Sequence, residues 1–269
     1  MKIVILTVDH LYSNFILKEL SKRFGKEIKL IIEPTKQLQG KSNFQAVLYY
    51  LKISGIYYVA IQILKLLIYK TVSCLYSTLG TNTNNKFYRY DFLTKKLGIK
   101  IKYFADINSK ESILTLQKIK PDLIVSVLFS HIIKKDLLGV ASKGIINFHP
   151  AYLPNYKGIS PIFWSLANGE KYSGATVHYI NKGIDTGNII TRKKVVIRNS
   201  DSEDSLYWRS VKLAPQMLIK AISDIESGRI QSIINHKGTY YSFPSQKAVK
   251  KFRNKGRAFF KIREYLFAD

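Results

Sequence analysis

Residues 147–190 read NFHPAYLPNYKGISPIFWSLANGEKYSGATVHYINKGIDTGNII, and the interpretation of the whole chain starts from this stretch. A short apolar run at residues 144–146 leads directly into it and predicts a β-strand. Because side chains alternate along a strand, Asn147 and His149 are expected on the same face. An amide can donate hydrogen bonds to an oxygen that gains negative charge, and an imidazole exchanges protons near neutral pH. The strand end is therefore a candidate site for acid–base chemistry.

A single carboxylate follows in a glycine-flanked loop, where Asp185 lies between Gly183 and Gly187. A carboxylate can orient an imidazole or accept a proton. Taken alone, a histidine before proline is an ordinary hydrogen-bonded residue, and an aspartate between glycines is an ordinary turn residue. The spaced combination favours chemistry at this strand end, and we expect Asn147, His149 and Asp185 to converge there.

The same stretch resembles the folate-dependent formyltransferases, which include glycinamide ribonucleotide transformylase, methionyl-tRNA formyltransferase and the sugar N-formyltransferases. The resemblance is specific over about residues 120–198, and five blocks carry it: NFHP at 147–150, LPNYKG at 153–158, SPIFW at 160–164, GATVH at 174–178 and IDTGNII at 184–190. It implies an enzyme whose catalytic residues are Asn147, His149 and Asp185. It also implies N10-formyltetrahydrofolate as the formyl donor, with no metal.

The resemblance further implies where the folate binds. In the family, a strand end and the following loop form the pterin pocket, largely through main-chain hydrogen bonds. The corresponding residues here are Leu128, Phe129, Ser130 and His131, and Gly183 is added from the loop of Asp185. A purely structural turn between a strand and a helix would have much the same sequence.

Three further polar residues of the stretch have two readings each. Lys157 and Tyr156 are predicted to bind the acceptor substrate, although a solvated loop lysine is the ordinary reading of Lys157. His178 lies in a predicted strand and either supports the site or is a hydrogen-bonded core histidine. The chain shows no cluster of residues with metal-ligand spacing, so no metal site is predicted.

The expected chemistry is attack of a primary amine on the formyl carbon of the folate. Asn147 and a protonated His149 are expected to stabilise the resulting oxyanion, at roughly 3–4 kcal/mol of barrier for one such donor. Asp185 is expected to orient His149 and to accept, through water, the proton that the amine loses.

The N-terminal pattern predicts an α/β fold. An apolar strand-like run at residues 2–8 precedes a helical pattern and a second strand-like run at residues 27–33. This βαβ opening predicts a doubly wound, mostly parallel Rossmann-like sheet, with ligands beyond the carboxyl ends of its strands. The first turn lacks a G-x-G-x-x-G motif, so a dinucleotide site is not predicted. We expect a catalytic domain at residues 1–205 and a small C-terminal appendage of helices and short strands at residues 206–269.

Residues 34–90 form an atypical insertion rich in Leu, Ile and Tyr. The longest uncharged stretch at its apolar centre, residues 53–64, is shorter than the roughly 18 apolar residues of a transmembrane helix, so we do not predict a span. An amphipathic helix is predicted instead. It packs on the core, forms a dimer interface, or lies on an anionic membrane surface.

Charge and cysteine content limit the partners and the compartment. The chain has 43 Lys and Arg against 18 Asp and Glu, a net charge of +25, which favours anionic partners such as nucleic acid, a membrane surface or a phosphorylated substrate. A compositionally biased genome would explain part of this charge without any function. The single cysteine excludes an intramolecular disulfide, and the first apolar run is too short for a signal peptide. We expect a cytoplasmic protein, with contact to the inner face of the membrane left open.

The acceptor amine is the least constrained part of the prediction. Methionyl-tRNA formyltransferases would explain the charge, but they continue into a C-terminal barrel domain, and only a short segment follows residue 205 here. Sugar N-formyltransferases resemble this chain in LPNYKG-x-SP-x-x-W and in a small appendage. We therefore predict transfer to a nucleotide-linked amino sugar, such as a 4-amino-4,6-dideoxyhexose of surface polysaccharide or O-antigen. A tRNA substrate and a non-catalytic binding or membrane-surface protein of this fold remain alternatives.

Overall fold

A seven-stranded sheet forms the centre of the computed structural model, which describes residues 1–36, 38–78, 87, 94, 95 and 97–267. Its strands are β1 (Ile3–Leu6), β2 (Ile28–Pro34), β3 (Lys100–Phe104), β4 (Leu123–Val127), β5 (Ile145–His149), β7 (Tyr172–Tyr179) and β8 (Ile189–Val196). Two further short strands, β6 (Lys157–Gly158) and β9 (Tyr240–Tyr241), pair with each other in a separate parallel ladder.

The strand order across the sheet is β3-β2-β1-β4-β5-β7-β8. The first five strands are parallel, whereas β7 is antiparallel to β5 and β8 is antiparallel to β7. The predicted doubly wound, mostly parallel α/β sheet is confirmed. The order reverses between β1 and β4, and in such sheets the crevice at the carboxyl ends of the strands next to this reversal binds ligands.

Helices cover both faces of the sheet. They are α1 (Leu11–Phe24), α2 (Asn43–Thr78), α3 (Lys110–Ile119), α4 (Lys135–Leu138), α5 (Pro161–Asn168), α6 (Glu203–Val211), α7 (Ala214–Glu226), α8 (Gln246–Asn254) and α9 (Ile262–Phe267). Strand β1 is buried along its whole length, which is typical of a parallel strand covered on both sides. Alternation sends Ile3 and Ile5 into the core under α1 and α7, and Val4 and Leu6 into the core under α3 and α4.

The C-terminal segment packs through its own apolar cluster. Phe163 of α5, Phe252 of α8 and Phe259 form an aromatic stack whose ring centres lie 4.7–5.9 Å apart. Tyr58 of α2 closes this cluster. The predicted boundary at residue 205 falls inside α6, and the division into a catalytic domain and an appendage stays a prediction.

Helix α2 accounts for most of the described part of the atypical insertion; residues 79–86 and 88–90 lie outside the described residues. The 36-residue helix is broken at Gly55, whose φ of 83° and ψ of 165° are accessible essentially only to glycine. By length and composition alone, its residues Asn43–Tyr76 could cross a membrane, which is at odds with the prediction made from the uncharged stretch. The packing of the inner face of the helix bears on whether α2 crosses a membrane or lies against the protein.

Candidate active site

Asn147 and His149 lie at the C-terminal end of β5, at the carboxyl edge of the sheet. The antiparallel partner β7 places His178 opposite Asn147 and Thr176 opposite His149. As a result, Asn147 Nδ2 lies 3.2 Å from His178 Nε2. The spacing in the sequence thus brings an amide and two imidazoles to one position in the fold.

The loop that follows β7 brings Asp185 to the same place. Asp185 adopts a left-handed backbone conformation with φ of 50°, and its Oδ2 accepts a hydrogen bond of 2.8 Å from the Gly158 amide. Its carboxylate oxygens lie 3.5 Å from His149 Nδ1 and 3.4 Å from His178 Nε2. The structure therefore brings the three predicted catalytic residues together and adds His178 to them.

Position 158 requires a glycine because the backbone of β9 approaches it closely. Its φ is 93°, and a Cβ at this position would lie 2.2 Å from the carbonyl oxygen of Tyr241. Glycine alone fits between β9 and the site in this conformation. Because Gly158 has no side chain, its amide can approach the carboxylate of Asp185.

His178 combines the two roles that the sequence left open. Its side chain is buried, and Nδ1 lies 2.7 Å from the carbonyl oxygen of Tyr179, so Nδ1 carries a hydrogen. Nε2 then accepts from Asn147 when the ring is neutral and donates to Asp185 when the ring is protonated. His178 is thus a hydrogen-bonded buried histidine that also belongs to the site.

The charge state of the cluster follows from burial and from the neighbours of each group. Burial lowers the pKa of His149, and the carboxylate of Asp185 and the Tyr156 carbonyl only partly oppose that effect. Burial raises the pKa of Asp185, but His149, His178 and the Gly158 amide outweigh it and hold that pKa well below its usual range. The site therefore favours an ionised Asp185 beside a neutral His149. This differs from the expected protonated His149, because desolvation penalises the imidazolium.

These groups line a cavity of about 1090 Å³. This is at the upper end of the range for small-molecule sites and leaves room for two substrates. The five predicted folate contacts all border the same cavity: Leu128, Phe129, Ser130, His131 and Gly183. His131 is buried and hydrogen-bonds through Nε2 to the carbonyl oxygen of Lys36 at 2.8 Å, while its Nδ1 has no hydrogen-bond partner among the described residues.

The predicted acceptor contacts have different surroundings. Lys157 is buried and donates to the carbonyl oxygen of His236 at 3.1 Å, so the alternative of a solvated lysine is wrong. The Tyr156 hydroxyl donates to Glu170 at 2.7 Å, and the Tyr156 carbonyl oxygen accepts from His149 Nε2 at 2.8 Å. Neither residue is among those that border the large cavity within the described chain, and their contact with substrate stays a prediction.

A second group of polar residues, which the sequence analysis did not identify, lies at the other end of the cavity. Lys65 of α2 pairs with Asp204 of α6 at 2.7 Å, and the Tyr12 hydroxyl also donates to Asp204. Next to them, Glu203 has a buried Oε2 without a hydrogen-bond partner in the described part of the chain, and burial raises its pKa to about 7 against the opposing effect of Lys65. The acidic pair after Ser202 marks a helix start in the sequence, but nothing local indicates a partner on α2.

His10 closes this end of the cavity beside Tyr12 and Tyr69. Burial lowers its pKa to about 4, and Lys65 acts in the same direction, while Asp204 and Asp9 oppose them. His10 is therefore neutral in the folded protein at every pH above about 4.

We expect the free energy of unfolding to fall as the pH is lowered from 6.5 towards 4.5, and to fall less steeply in His10→Gln. An unfolded histidine takes up a proton near pH 6.5, whereas folded His10 does so only near pH 4, so acid favours the unfolded chain. The contribution of His10 is about 1 kcal/mol per pH unit within this window. Urea midpoints at several pH values measure it, with His236→Gln on an exposed residue as the control. Equal slopes for the parent and His10→Gln would contradict the assignment.

Comparison with known proteins places this geometry in a family. Residues 99–222 match the family model described as formyl transferase. The methionyl-tRNA formyltransferase of Halothermothrix orenii is 38% identical over 136 residues, which cover 51% of this chain and 43% of that protein. The bifunctional polymyxin resistance protein ArnA of Wigglesworthia glossinidia brevipalpis is 36% identical over 135 residues, which cover 50% of this chain and 21% of that protein. The matched region thus spans less than half the length of these curated relatives.

The fold extends the similarity beyond the matched region. An N-formyltransferase from Helicobacter canadensis, solved in complex with folinic acid and dTDP-3-aminofucose, superimposes with a TM-score of 0.62 over 98% of this chain and 82% of that chain. Its sequence identity of 19% supports the fold and no more. The matched segment contains β4, β5, β7, Asn147, His149 and Asp185. The resemblance drawn from the sequence is confirmed, because residues 99–222 match the formyl transferase family model.

Proposed function

We propose that the protein is an N-formyltransferase that moves a formyl group from N10-formyltetrahydrofolate to the primary amine of a nucleotide-linked amino sugar. The observation that carries this proposal is the approach of an ionised Asp185 to within 3.5 Å of both His149 and His178 at the wall of one large cavity. The cluster lies in the segment that matches the formyl transferase family model.

The features of one end of the cavity fit a folate. Leu128 and Phe129 offer apolar surface for a flat heteroaromatic ring, and the unpartnered Nδ1 of His131 offers a polar group to its edge. We assign Leu128, Phe129, Ser130, His131 and Gly183 to binding of the folate. The bound folate supplies the formyl group and a nitrogen leaving group. The Helicobacter canadensis enzyme of the same fold was solved with folinic acid, which supports this assignment.

Asn147 is the donor for the oxygen that gains negative charge when an amine adds to the formyl group. One hydrogen of its Nδ2 is directed at His178 Nε2, 3.2 Å away, so the second hydrogen is available to the cavity. A donor held in place before the reaction contributes roughly 3–4 kcal/mol to such a barrier. The contact with His178 fixes the orientation of the amide.

His149 and Asp185 form the proton-accepting pair. His149 Nε2 donates to the Tyr156 carbonyl oxygen, which leaves Nδ1 as the site for an incoming proton. The carboxylate of Asp185, 3.5 Å from Nδ1, stabilises the imidazolium that results. Because the pKa of Asp185 is held low, its carboxylate stays ionised and serves as the counter-charge. His149 can then return the proton to the leaving nitrogen.

The opposite end of the cavity fits a donor-rich, anionic acceptor. Glu203 and Asp204 provide acceptor oxygens for amine and hydroxyl groups, and Glu203 Oε2 lacks a partner in the described structure. Lys65, paired with Asp204, is a cation at this end, and three further lysines border the cavity beside the residues assigned to the folate: Lys36, Lys134 and Lys182. The Helicobacter canadensis enzyme was solved with dTDP-3-aminofucose, a ligand of this chemical class. We place the reaction in the cytoplasm, in the supply of formylated sugars for surface polysaccharide such as O-antigen.

A second candidate is methionyl-tRNA formyltransferase. It is favoured by the 38% identity to the Halothermothrix orenii enzyme and by the net charge of +25, which would attract tRNA. The alignment covers 43% of that relative, so its activity does not transfer with the similarity. The two candidates share the same catalytic groups and differ in the acceptor.

We expect formyl transfer from N10-formyltetrahydrofolate to a nucleotide-linked amino sugar. Release of tetrahydrofolate is followed with a panel of such sugars and, under the same conditions, with methionyl-tRNA. Turnover with one sugar supports the proposal, and turnover with methionyl-tRNA alone replaces it by the second candidate. Absence of turnover with every acceptor contradicts both and favours a non-catalytic role.

We expect Asn147→Ala, His149→Ala and Asp185→Asn each to lower kcat by about 100-fold or more, because each removes a group that acts in the transition state. Asp185→Asn is the sharpest change, since asparagine tolerates the left-handed backbone of this position and only the charge is lost. Circular dichroism checks that the variants are folded.

Asp224→Asn is the matched control, because Asp224 is a surface carboxylate paired with Lys220 on α7. It should leave kcat unchanged. Rates close to those of the parent in all three site variants would show that the cluster is not catalytic.

A further inference from the structure

Helix α2 directs apolar side chains away from the protein. Ile56, Ile63, Leu64 and Leu67 recur at helical spacing and form what we call the α2 outer face. Their exposed fractions are 77%, 44%, 41% and 56%. Only 17% of the most apolar window of the helix is buried. A continuous exposed apolar stripe of this kind marks an interaction surface.

The inner face of α2 carries buried polar groups beside apolar residues that pack on the core, such as Val59. Lys65 Nζ pairs with Asp204 at 2.7 Å, and the Tyr69 hydroxyl donates to Asp9 at 2.9 Å. Ser54 is buried on the same side. These polar groups thus face the protein, whereas the apolar residues of the α2 outer face have no covering element among the described residues.

The surroundings of the α2 outer face are basic. Helix α8 lies alongside, with Gln246 Nε2 donating to the Lys52 carbonyl oxygen at 3.0 Å and the Arg253 guanidinium 4.0 Å from the Tyr57 ring centre. The sequence has no acidic residue between Glu33 and Asp91 or between Glu226 and Glu264. Exposed basic side chains therefore flank the apolar stripe: Lys52, Lys70, Lys247, Lys250 and Arg253.

The charge selects among the possible occupants of this surface. A second copy of the chain would bring two net charges of +25 together, and their repulsion opposes association. An anionic lipid surface instead attracts the same charges and accepts the apolar stripe into its interface. Basic flanks beside a large apolar face are the pattern of helices that lie in the plane of a membrane.

We propose that α2 docks the protein on an anionic phospholipid membrane, with the α2 outer face in the interfacial layer and the basic residues of α8 at the headgroups. The helix lies flat and does not span the bilayer. Lys65 and Tyr69 hold its inner face against Asp204 and Asp9, and lipid on that side would leave these polar groups without their partners. This docking does not depend on which amine the enzyme formylates.

The test is co-sedimentation of the full chain with vesicles. We expect binding to phosphatidylglycerol-containing vesicles at low salt, little binding to phosphatidylcholine vesicles, and release at high salt. Ile56→Gln combined with Leu67→Gln should lower the bound fraction at least tenfold, because two exposed apolar side chains that enter the interface become polar.

The matched control replaces two other exposed apolar residues by glutamine, Leu114→Gln combined with Val196→Gln. It should bind as the parent does. Sedimentation velocity on the parent and both double variants checks folding and self-association.

Three results would overturn the proposal. The first is the absence of binding to anionic vesicles at low salt, or equal binding by the parent and the α2 variant. The second is binding that survives high salt and ends only with detergent, which means a spanning helix. The third is a dimer of the parent that the α2 substitutions dissociate, which means that a second copy covers the α2 outer face.

Discussion

The site depends on keeping one buried carboxylate ionised. Desolvation of Asp185 opposes its ionisation, and three neighbours hold its pKa low: the amide of Gly158, and the imidazoles of His149 and His178 when they are protonated. Each neighbour depends on a different part of the fold. β5 carries His149, the antiparallel β7 carries His178, and Gly158 reaches the carboxylate only because β9 packs against a residue without a side chain. The site is thus assembled where the sheet changes from parallel to antiparallel strands.

The cavity joins this common catalytic cluster to elements outside the matched family segment. The end proposed for the folate is formed after β4, inside residues 99–222, whereas the end proposed for the acceptor includes side chains of α1 and α2. Helix α2 contributes Tyr58 and Lys65 to the cavity on one side and the α2 outer face on the other. One element would then shape the acceptor site and hold the enzyme at a membrane surface.

Local patterns predicted the fold well, because strand alternation and helical spacing depend on residues that are close together in the sequence. The convergence of Asn147, His149 and Asp185 followed from the motif blocks of the family. Long-range packing could not be predicted in the same way. The burial of Lys157 depends on the pairing of β6 with β9, 83 residues away at Tyr240. The Lys65–Asp204 pair joins α2 to α6, and the neutral state of His149 depends on burial that no spacing reveals.

The most direct test of the account is the titration of His149, followed by NMR of imidazole-labelled protein in the parent and in Asp185→Asn. Burial and the Asp185 carboxylate act on His149 in opposite directions. The account predicts a midpoint below the ordinary histidine value of about 6.5 in the parent, and a still lower midpoint when the carboxylate is replaced by an amide. A midpoint above that value in the parent, or one that does not move in Asp185→Asn, would contradict the coupling on which the proposed proton transfer rests.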